Sequence, residues 1–304
     1  MTREELNEEI QQEIEEEEKK EKKKTVIKYV IKFLVFIIFF LVAFYSYTTY
    51  ISTVKISVRE YRVINEKIPS SFNGTKIIQF SDLHFGSTMF EDNLKTIQAL
   101  INDRKPDIIV FTGDLISKNY SVTSEEKEIL IKHLQNLSSS LGKYAILGDE
   151  DSDEIATIFN QSNFTVLKND YELVYSNNSD PILIIGLSST EKQIDIHKAF
   201  EYYHVQNHIQ NIYTITILHE PDTVDDVLKE YSVDLFLAGH SHNGYVRIPF
   251  SKIPLIKRKG ALKYDQDYYK VNKSLLYVSS GLGTENGFRL FCRPSINFFR
   301  LSNQ

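Results

Sequence analysis

Short runs of aliphatic, β-branched and aromatic residues recur along the chain, separated by longer segments whose apolar positions follow a helical spacing. The five clearest runs occupy residues 76–80, 108–111, 144–147, 214–218 and 235–238. Continuous apolar runs of this length are typical of strands that are buried on both faces of a sheet. Because these strands alternate with helical segments, the pattern predicts an α/β fold.

The predicted helices occupy residues 91–102, 124–137, 152–160, 195–203 and 223–231. The last of them begins at an Asp222-Thr223 cap signal directly after Pro221. From Val246 onward the pattern becomes β-rich, and we expect strands at residues 275–279, 288–292 and 296–301. No internal repeat and no Pro/Gly-rich linker interrupts residues 76–304. We therefore interpret this range as one domain and residues 55–75 as a connection to it.

Residues 33–54 contain no charged side chain and include the run FLVFIIFFLVAF. A helix of this length spans roughly 33 Å, enough for a hydrocarbon core of about 30 Å. A cleaved signal peptide is one alternative, but the preceding segment is long and acidic and no A-x-A-like site follows. A buried core helix is another, but this segment is apolar on all faces. We expect residues 25–54 to form a transmembrane anchor in the lipid bilayer, after a charged tail at residues 1–24.

Basic residues are more frequent before the apolar stretch than after it. Seven lysines lie within residues 19–32, whereas four Lys or Arg residues lie within 55–67. Basic residues favour the cytoplasmic side of a span. The bias predicts a single-pass protein of the cell membrane, with a cytoplasmic N-terminus and the large domain outside.

The composition argues against a nucleic-acid-binding protein and against a disulfide-stabilised one. The chain has 304 residues, of which 42% are hydrophobic and 25% charged, as is ordinary for a globular protein. Its net charge is −6, and residues 1–24 account for −4 of it, with ten Glu against six Lys or Arg. A nearly neutral domain gives no reason to expect a nucleic-acid partner. The single Cys292 excludes an intramolecular disulfide.

Each of the five apolar runs is followed by side chains that bind divalent metal ions. The candidate ligands are Asp82, His84, Asp114, Asp149, His219, His240 and His242. In open α/β sheets, ligands bind outside the carboxyl ends of the strands, so these side chains should meet at one edge. Residues two apart on an extended segment share one side, which lets Asp82 and His84 bind the same ion. Mixed carboxylate and imidazole ligands favour Mn, Fe or Zn, and two ions about 3.5–4 Å apart can hydrolyse phosphate esters.

Each motif alone has a simpler interpretation. An isolated Asp-x-His is usually a surface loop, Gly-Asp after a strand is usually a turn, and His219 alone would be a hydrogen-bonded core residue. The order of the motifs, each at a predicted strand end, favours a shared metal site instead. The other histidines, His133, His197, His204 and His208, lie in predicted helical segments. His204 and His208 are four residues apart and could share a metal, but a solvated helix face is the more common arrangement.

At these motifs the chain resembles the calcineurin-like metallophosphoesterases, in particular their membrane-associated bacterial branch. The segments that carry the resemblance are QFSDLHFG, FTGDL, LHEPD and AGHSHNG, together with a late segment from Arg289 to Ile296. The resemblance extends from about Lys76 to Leu301. It implies a four-layer αββα sandwich, in which two mixed β-sheets are flanked by helices, with a dinuclear metal site at the strand ends.

The resemblance also implies how the ligands are divided between two metal ions. Asp82, His84 and His242 would hold the first ion. Asp149, His219 and His240 would hold the second. Asp114 would bridge them, because a carboxylate has two oxygens.

The third motif departs from the family pattern, which is Gly-Asn-His-Asp or Gly-Asn-His-Glu. Here it is Gly148-Asp149-Glu150-Asp151. Asp149 can still bind a metal, and we predict a catalytic role for both Asp149 and Glu150. The family histidine at the Glu150 position stabilises the transition state and protonates the leaving group, whereas a carboxylate repels phosphate unless it is protonated or metal-bound. Asp151 would orient a neighbouring group or cap a helix.

Three functions remain open from the sequence. The first is a membrane-anchored, metal-dependent phosphoesterase whose substrate carries a phosphate ester or pyrophosphate, including lipid headgroups. The second is a metal-binding protein of the same fold with little or no turnover, for which Glu150 is the support. The third is an unrelated α/β domain with coincidental histidines. Metal analysis separates the third from the others, and a phosphodiester assay separates the first two.

Overall fold

The predicted strands pair into two mixed sheets. The computed structural model describes residues 2–177, 180–205, 211–248, 251, 253–285 and 287–304. In chain order its strands are β1 (Ser57–Ile64), β2 (Lys76–Phe80), β3 (Ile108–Thr112), β4 (Gly142–Ile146), β5 (Thr165–Val166), β6 (Asp170–Val174), β7 (Ile182–Gly186), β8 (Thr214–Leu218), β9 (Leu235–Ala238), β10 (Tyr268–Val271), β11 (Ser274–Val278) and β12 (Ser295–Ser302). Its α-helices are α1 (Arg3–Ser46), α2 (Glu91–Asp103), α3 (Ser124–Gln135), α4 (Ile155–Gln161), α5 (Ile196–Ala199), α6 (Glu201–Val205) and α7 (Val224–Val227).

The chain divides into two compact units, Met1–Thr48 and Thr49–Gln304. The first unit contains α1, whose apolar side chains are exposed; Phe36, Phe39 and Phe40 are 64%, 70% and 59% exposed. In the described part of the chain, Leu6–Ile51 is the only helical stretch that is long and apolar enough to span a membrane. The second unit holds both sheets.

The two sheets have six strands each. Sheet one has the order β1-β12-β2-β3-β4-β5, and sheet two has the order β10-β11-β9-β8-β7-β6. In sheet one every neighbouring pair is parallel except β12 with β2. In sheet two the central strands are parallel, and β10 and β6 pair antiparallel at its edges. The carboxyl ends of β2, β3 and β4 therefore share one edge of sheet one, and those of β8 and β9 share one edge of sheet two.

Apolar side chains on alternating strand positions build three layers of core. Ile77 and Ile108 of sheet one pack in a buried cluster with Ile215, Ile217 and Leu237 of sheet two, so this layer lies between the sheets. The next residue along each strand faces the other way, where α2, α3 and α4 cover sheet one. In the same way α5, α6 and α7 cover sheet two. The predicted α/β fold, two mixed sheets flanked by helices, is confirmed.

The helices differ from the sequence-based expectations in three places. The predictions at 91–102 and 124–137 match α2 and α3 closely. The helix expected at 195–203 is two short helices, because the chain breaks at Phe200, whose buried ring stacks 4.3 Å from that of Tyr231. The helix expected at 223–231 is shorter, with a 3₁₀ turn at Pro221–Thr223 followed by α7. The helix expected at 152–160 begins only at Ile155.

Residues 288–292 do not form the predicted strand. Leu290 makes only an isolated bridge with Val246. Phe291 has a left-handed backbone, with φ of 56°, which interrupts an extended segment. The other two C-terminal strands are present as β11 and β12.

Residues 55–75, which we expected to be only a connection, contribute the strand β1. It pairs in parallel with β12 from Ser57, opposite Ser295, to Ile64, opposite Ser302. The Tyr61 ring packs 4.5 Å from the Tyr277 ring, which joins β1 to the core between the sheets. The domain start at residue 76 therefore leaves out one strand of sheet one.

We expect residues 55–304 to fold without the preceding segment, and residues 76–304 to be markedly less stable. Removal of β1 exposes the backbone edge of β12 and the apolar side chains that β1 covers. Thermal unfolding of the two fragments, followed by circular dichroism, measures the difference. If their melting temperatures agree within about 3 °C, β1 contributes little to the fold.

Candidate metal centre

The candidate ligands lie where the two sheets meet at the carboxyl ends of their strands. Two hydrogen bonds join the sheets at this edge. Gln79 Nε2 donates to the Ala238 carbonyl at 2.8 Å, and His219 Nδ1 donates to the Thr112 carbonyl at 2.7 Å. The structure thereby brings ligands from β2, β3 and β4 against those from β8 and β9.

The backbone is strained at most of these positions. Five of the seven candidate ligands have a left-handed φ: Asp82 (49°), His84 (46°), Asp114 (60°), His240 (63°) and His242 (45°). This region disfavours residues with a side chain, and such strain concentrates at functional sites. The glycines beside the ligands are needed for close approach, since a Cβ at Gly148 would overlap the Asp114 side chain.

One group of ligand atoms contains Asp149, His219 and His240. His219 donates Nδ1–H to a backbone carbonyl, and His240 donates Nε2–H to the Lys259 carbonyl at 2.8 Å. In the neutral rings, the other nitrogens therefore carry lone pairs. Those nitrogens lie 3.2 Å apart and 2.9 and 3.1 Å from Asp149 Oδ1. Three electron-rich atoms face one point, as metal ligands do, and the backbone bonds orient the rings as in known metal sites.

A second group contains Asp82, His84 and His242. The Nε2 atoms of the two histidines lie 3.1 Å apart, and His242 Nε2 is 3.3 Å from Asp82 Oδ1. Burial, together with His84, Arg258 and Arg289, holds the pKa of His242 well below its ordinary range. The ring is therefore neutral and can act as a ligand.

Asp114 lies between the two groups and faces both through a single oxygen. Its Oδ2 is 3.2 Å from His219 Nε2 and 3.9 Å from His84 Nε2. Its Oδ1 accepts the Glu150 backbone N–H at 3.0 Å. The position would suit a ligand shared by two ions, and Oδ2 is the oxygen that lies nearest to both groups.

The electrostatics of the cluster fit a divalent cation. Asp114 Oδ2 is buried and has no hydrogen-bond partner among the described residues. Burial, reinforced by Asp114, raises the pKa of Asp82. Burial disfavours the charged form of His219, yet Asp114 and Asp149 outweigh this and raise its pKa well above the usual range. The carboxylates therefore draw in positive charge, which metal ions would supply.

Asp151 orients the backbone that follows β3 and the backbone that follows β4. Its Oδ2 accepts the N–H groups of Asp114 and Gly148 at 2.8 and 3.0 Å, and its Oδ1 accepts that of Leu115 at 2.8 Å. This explains why α4 starts later than predicted, since the Asp151 carboxylate is turned away from that helix. Of its two predicted roles, orienting a neighbour is the one observed.

Glu150 lies beside the cluster and faces a histidine. Its Oε2 is 3.2 Å from His84 Nδ1, and it also accepts the Lys118 backbone N–H at 3.1 Å. Burial favours the neutral form of Glu150, but the contacts with His84 and Glu285 outweigh it and lower its pKa. The side chain is thus a carboxylate at ion-pair distance from His84 Nδ1, a buried nitrogen that has no hydrogen-bond partner among the described residues, and its charge favours a proton on that nitrogen.

Arg258, which the sequence analysis did not single out, lies at the same edge. Its Nη2 pairs with Glu285 and lies 3.7 Å from Glu150 Oε1, and its Nη1 donates to the Tyr245 hydroxyl at 3.2 Å. Arg258 and Lys259 line a cavity of about 290 Å³ that also borders Asp149 and His240. The same cavity is also lined by Glu191 and Glu220, and Lys259 pairs with Glu191 at 3.0 Å, so both signs of charge border the space next to the candidate ligands. The run Lys257-Arg258-Lys259-Gly260 was the only signal for Arg258 and Lys259.

The remaining histidines lie apart from the cluster. His133 is buried and its Nδ1 contacts Gln98 Oε1 at 2.7 Å. His197 and His204 both contact the Tyr231 hydroxyl, at 3.1 and 2.9 Å. His208, the fourth, lies outside the described residues.

Comparison with known proteins agrees with this geometry. A family model of calcineurin-like phosphoesterases matches residues 75–244, which include all seven candidate ligands. The metallophosphoesterase YkuE of Bacillus subtilis is 31% identical over 267 residues, which cover 85% of this chain and 90% of that protein. The UDP-2,3-diacylglucosamine pyrophosphatase LpxG of Chlamydia muridarum is 27% identical and covers 77% of this chain and 86% of that protein.

A transmembrane protein with a metallophosphoesterase domain from Danio rerio is 24% identical, with 72% of this chain and 51% of that protein covered. The resemblance predicted from the motifs is confirmed by the family match and by the extent of the YkuE similarity. The chain belongs to the calcineurin-like phosphoesterase family.

Proposed function

We propose that this protein is a membrane-anchored hydrolase of phosphate ester or pyrophosphate bonds that acts with two divalent metal ions. The observation that carries the proposal is the convergence of two ligand groups on either side of Asp114 Oδ2. Asp82, His84 and His242 would hold one ion, and Asp149, His219 and His240 the other. When bound, the ions would polarise the phosphoryl group and lower the pKa of a water molecule.

The donor chemistry supports Mn, Fe or Zn as the ions. Imidazole nitrogen suits these borderline metals, whereas Mg²⁺ prefers oxygen ligands and retains its waters. Metallophosphoesterases use divalent metals, and the groups found here offer four imidazoles among seven ligands. The number and identity of the ions are part of the proposal.

Arg258 supplies the positive charge that binds the phosphoryl oxygens in this proposal. The family histidine is absent, and Arg258 is the guanidinium that borders both Glu150 and the cavity next to Asp149. The planar guanidinium group carries parallel N–H donors, which match the geometry of two phosphate oxygens. Glu150 then acts as a positioning residue that holds His84, and it makes no contact with substrate. The ionised state of Glu150 argues against its use as the acid for the leaving group.

The substrate class follows from a relative and from the N-terminal helix. LpxG is a pyrophosphatase whose substrate carries two acyl chains, as its name states. An exposed apolar helix precedes the catalytic unit in this chain. Both support a lipid-linked phosphate or pyrophosphate as the substrate. Anchoring through residues 25–54, with the N-terminus in the cytoplasm and the domain outside, is the orientation that the basic residues favour.

We expect the purified chain to bind close to two divalent ions, and Asp114→Ala to bind fewer and to lose turnover. A bridging ligand is needed by both ions, so its loss weakens both sites. Asp114→Asn should lose nearly all activity, because the amide lacks the charge. Elemental analysis and hydrolysis of an aryl phosphate diester with Mn²⁺ measure the two effects. Two bound ions with no turnover in the wild type would support the binding-protein alternative, and wild-type turnover in Asp114→Ala would contradict the assigned bridge.

Arg258→Met should raise the inhibition constant of inorganic phosphate and lower kcat/KM about 10- to 100-fold, while the metal content stays unchanged. A hydrogen bond to a charged group contributes about 1.5–3 kcal/mol, and Arg258→Lys should recover part of it. Glu150→Gln should instead lower metal affinity about 10- to 100-fold, as loss of an orienting partner does. Arg104→Met is the matched control, because Arg104 lies after α2 and pairs with Glu60. Equal phosphate inhibition of Arg258→Met and the wild type would remove Arg258 from the phosphate site.

The proposed orientation predicts that protease added to intact cells digests residues 55–304. The basic bias around residues 33–54 places this domain outside. Immunoblotting with an antibody to the C-terminal domain measures its loss. A cytoplasmic marker protein serves as the control for intact cells. Digestion that requires cell lysis would reverse the orientation.

A further inference from the structure

The loop after β9 exposes a surface that the proposed chemistry does not use. Within residues 253–263 four large apolar side chains and three lysines are exposed. They are Ile253 (58%), Leu255 (61%), Ile256 (47%), Leu262 (56%), Lys257, Lys259 and Lys263. This 253–263 loop contains no acidic residue, and its exposed lysines pair with carboxylates around it: Lys257 with Asp265 at 2.7 Å, Lys259 with Glu191 at 3.0 Å and Lys263 with Asp225 at 2.7 Å. Exposed apolar side chains that are grouped in this way mark interaction surfaces.

The backbone of the 253–263 loop is fixed to the domain. Leu255 N–H donates to the Val246 carbonyl at 2.8 Å. At the other end Asp222 accepts the N–H groups of Leu262 and Lys263 at 2.7 and 3.1 Å. The apolar side chains are therefore exposed by an ordered loop, and burial of them needs another molecule.

The same loop is joined to the candidate metal centre. The Lys259 carbonyl accepts Nε2–H of His240, a candidate ligand, at 2.8 Å. The side chain of Arg258 turns inward to Glu285 and Glu150. A surface bound by the loop would therefore lie beside the cavity that borders the ligands.

The chain enters the catalytic unit at this edge as well. β1 is parallel to β12, and β12 is antiparallel to β2, so the start of β1 lies level with the carboxyl end of β2. Ser57 is hydrogen-bonded to Pro294, three residues before the partner of Gln79. The proposed anchor ends at Val54, three residues before Ser57 in the sequence.

We propose that the 253–263 loop docks on the surface of an anionic lipid bilayer. Its apolar side chains would enter the headgroup region, and its lysines would contact anionic headgroups, a combination typical of segments that lie on membranes. The exposed apolar side chains, and the start of β1 at the same edge directly after the proposed anchor in the sequence, favour a bilayer over a protein partner. The lysines would exchange their carboxylate partners for anionic headgroups. The metal-binding edge would then face the headgroups. This inference rests on the proposed anchor and is independent of turnover.

The test places an environment-sensitive fluorophore on the full chain in vesicles of phosphatidylglycerol and phosphatidylcholine that contain spin-labelled lipids. Leu255→Cys puts the label on the loop. Ser138→Cys is the matched control, because residue 138 lies before β4, at the opposite edge of sheet one. The wild type controls for labelling of Cys292, which is 2% exposed. We expect a blue shift and strong quenching at position 255 and neither at position 138.

Charge substitutions separate the bilayer from other causes of quenching. Lys257→Gln and Lys263→Gln should each weaken docking about 5-fold, and vesicles of phosphatidylcholine alone should weaken it further. The control pair Lys105→Gln and Lys132→Gln should leave quenching unchanged. Equal quenching at positions 255 and 138, or none at 255, would overturn the proposal. Because quenching requires no turnover, loss of activity in the same vesicles would count against the proposed function alone.

Discussion

The burial of carboxylates beside several imidazole rings is the constraint on which the rest of the structure depends. Asp82 and Asp114 are fully buried, and Asp149 faces two nitrogens whose rings already donate their hydrogens to backbone carbonyls. Such an arrangement concentrates electron-rich atoms in a medium of low dielectric, where they repel one another. Positive charge, from a proton on His219 or from metal ions, offsets this repulsion. The left-handed backbone conformations and the glycines at this edge have the same effect, because both allow these atoms to approach one another closely.

The fold and the convergence of the candidate ligands could be predicted because both follow from short-range patterns. Apolar runs end where strands end, and parallel strands bring their carboxyl ends to one edge, so the order of motifs gave the location of the cluster. Asp82 and His84 do lie close together, but for a different structural reason from the expected one. Asp82 and His84 were expected to share a side of an extended segment, but both have left-handed backbones. Their side chains meet through a turn, which no spacing rule describes.

Features that depend on distant contacts could not be predicted. β1 was missed because Arg59, Glu60 and Arg62 interrupt its apolar pattern, and its partner β12 lies at the other end of the chain. The tautomer of His240 depends on a hydrogen bond to the carbonyl of Lys259, which is 19 residues further along the chain. The break at Phe200 arises from tertiary packing on Tyr231, which overrides helical spacing.

The exchange of the family histidine for Glu150 is best understood together with Arg258. A lone carboxylate at this position would add negative charge to a site that must accept phosphate. Arg258 lies 3.7 Å from Glu150 and pairs with Glu285, so a guanidinium is close to the carboxylate that stands in the place of the family histidine. The second carboxylate oxygen of Glu150 faces His84, at 3.2 Å from Nδ1. In the proposed mechanism these two residues would share the tasks of one imidazole, with Glu150 positioning a candidate ligand and Arg258 supplying positive charge beside it.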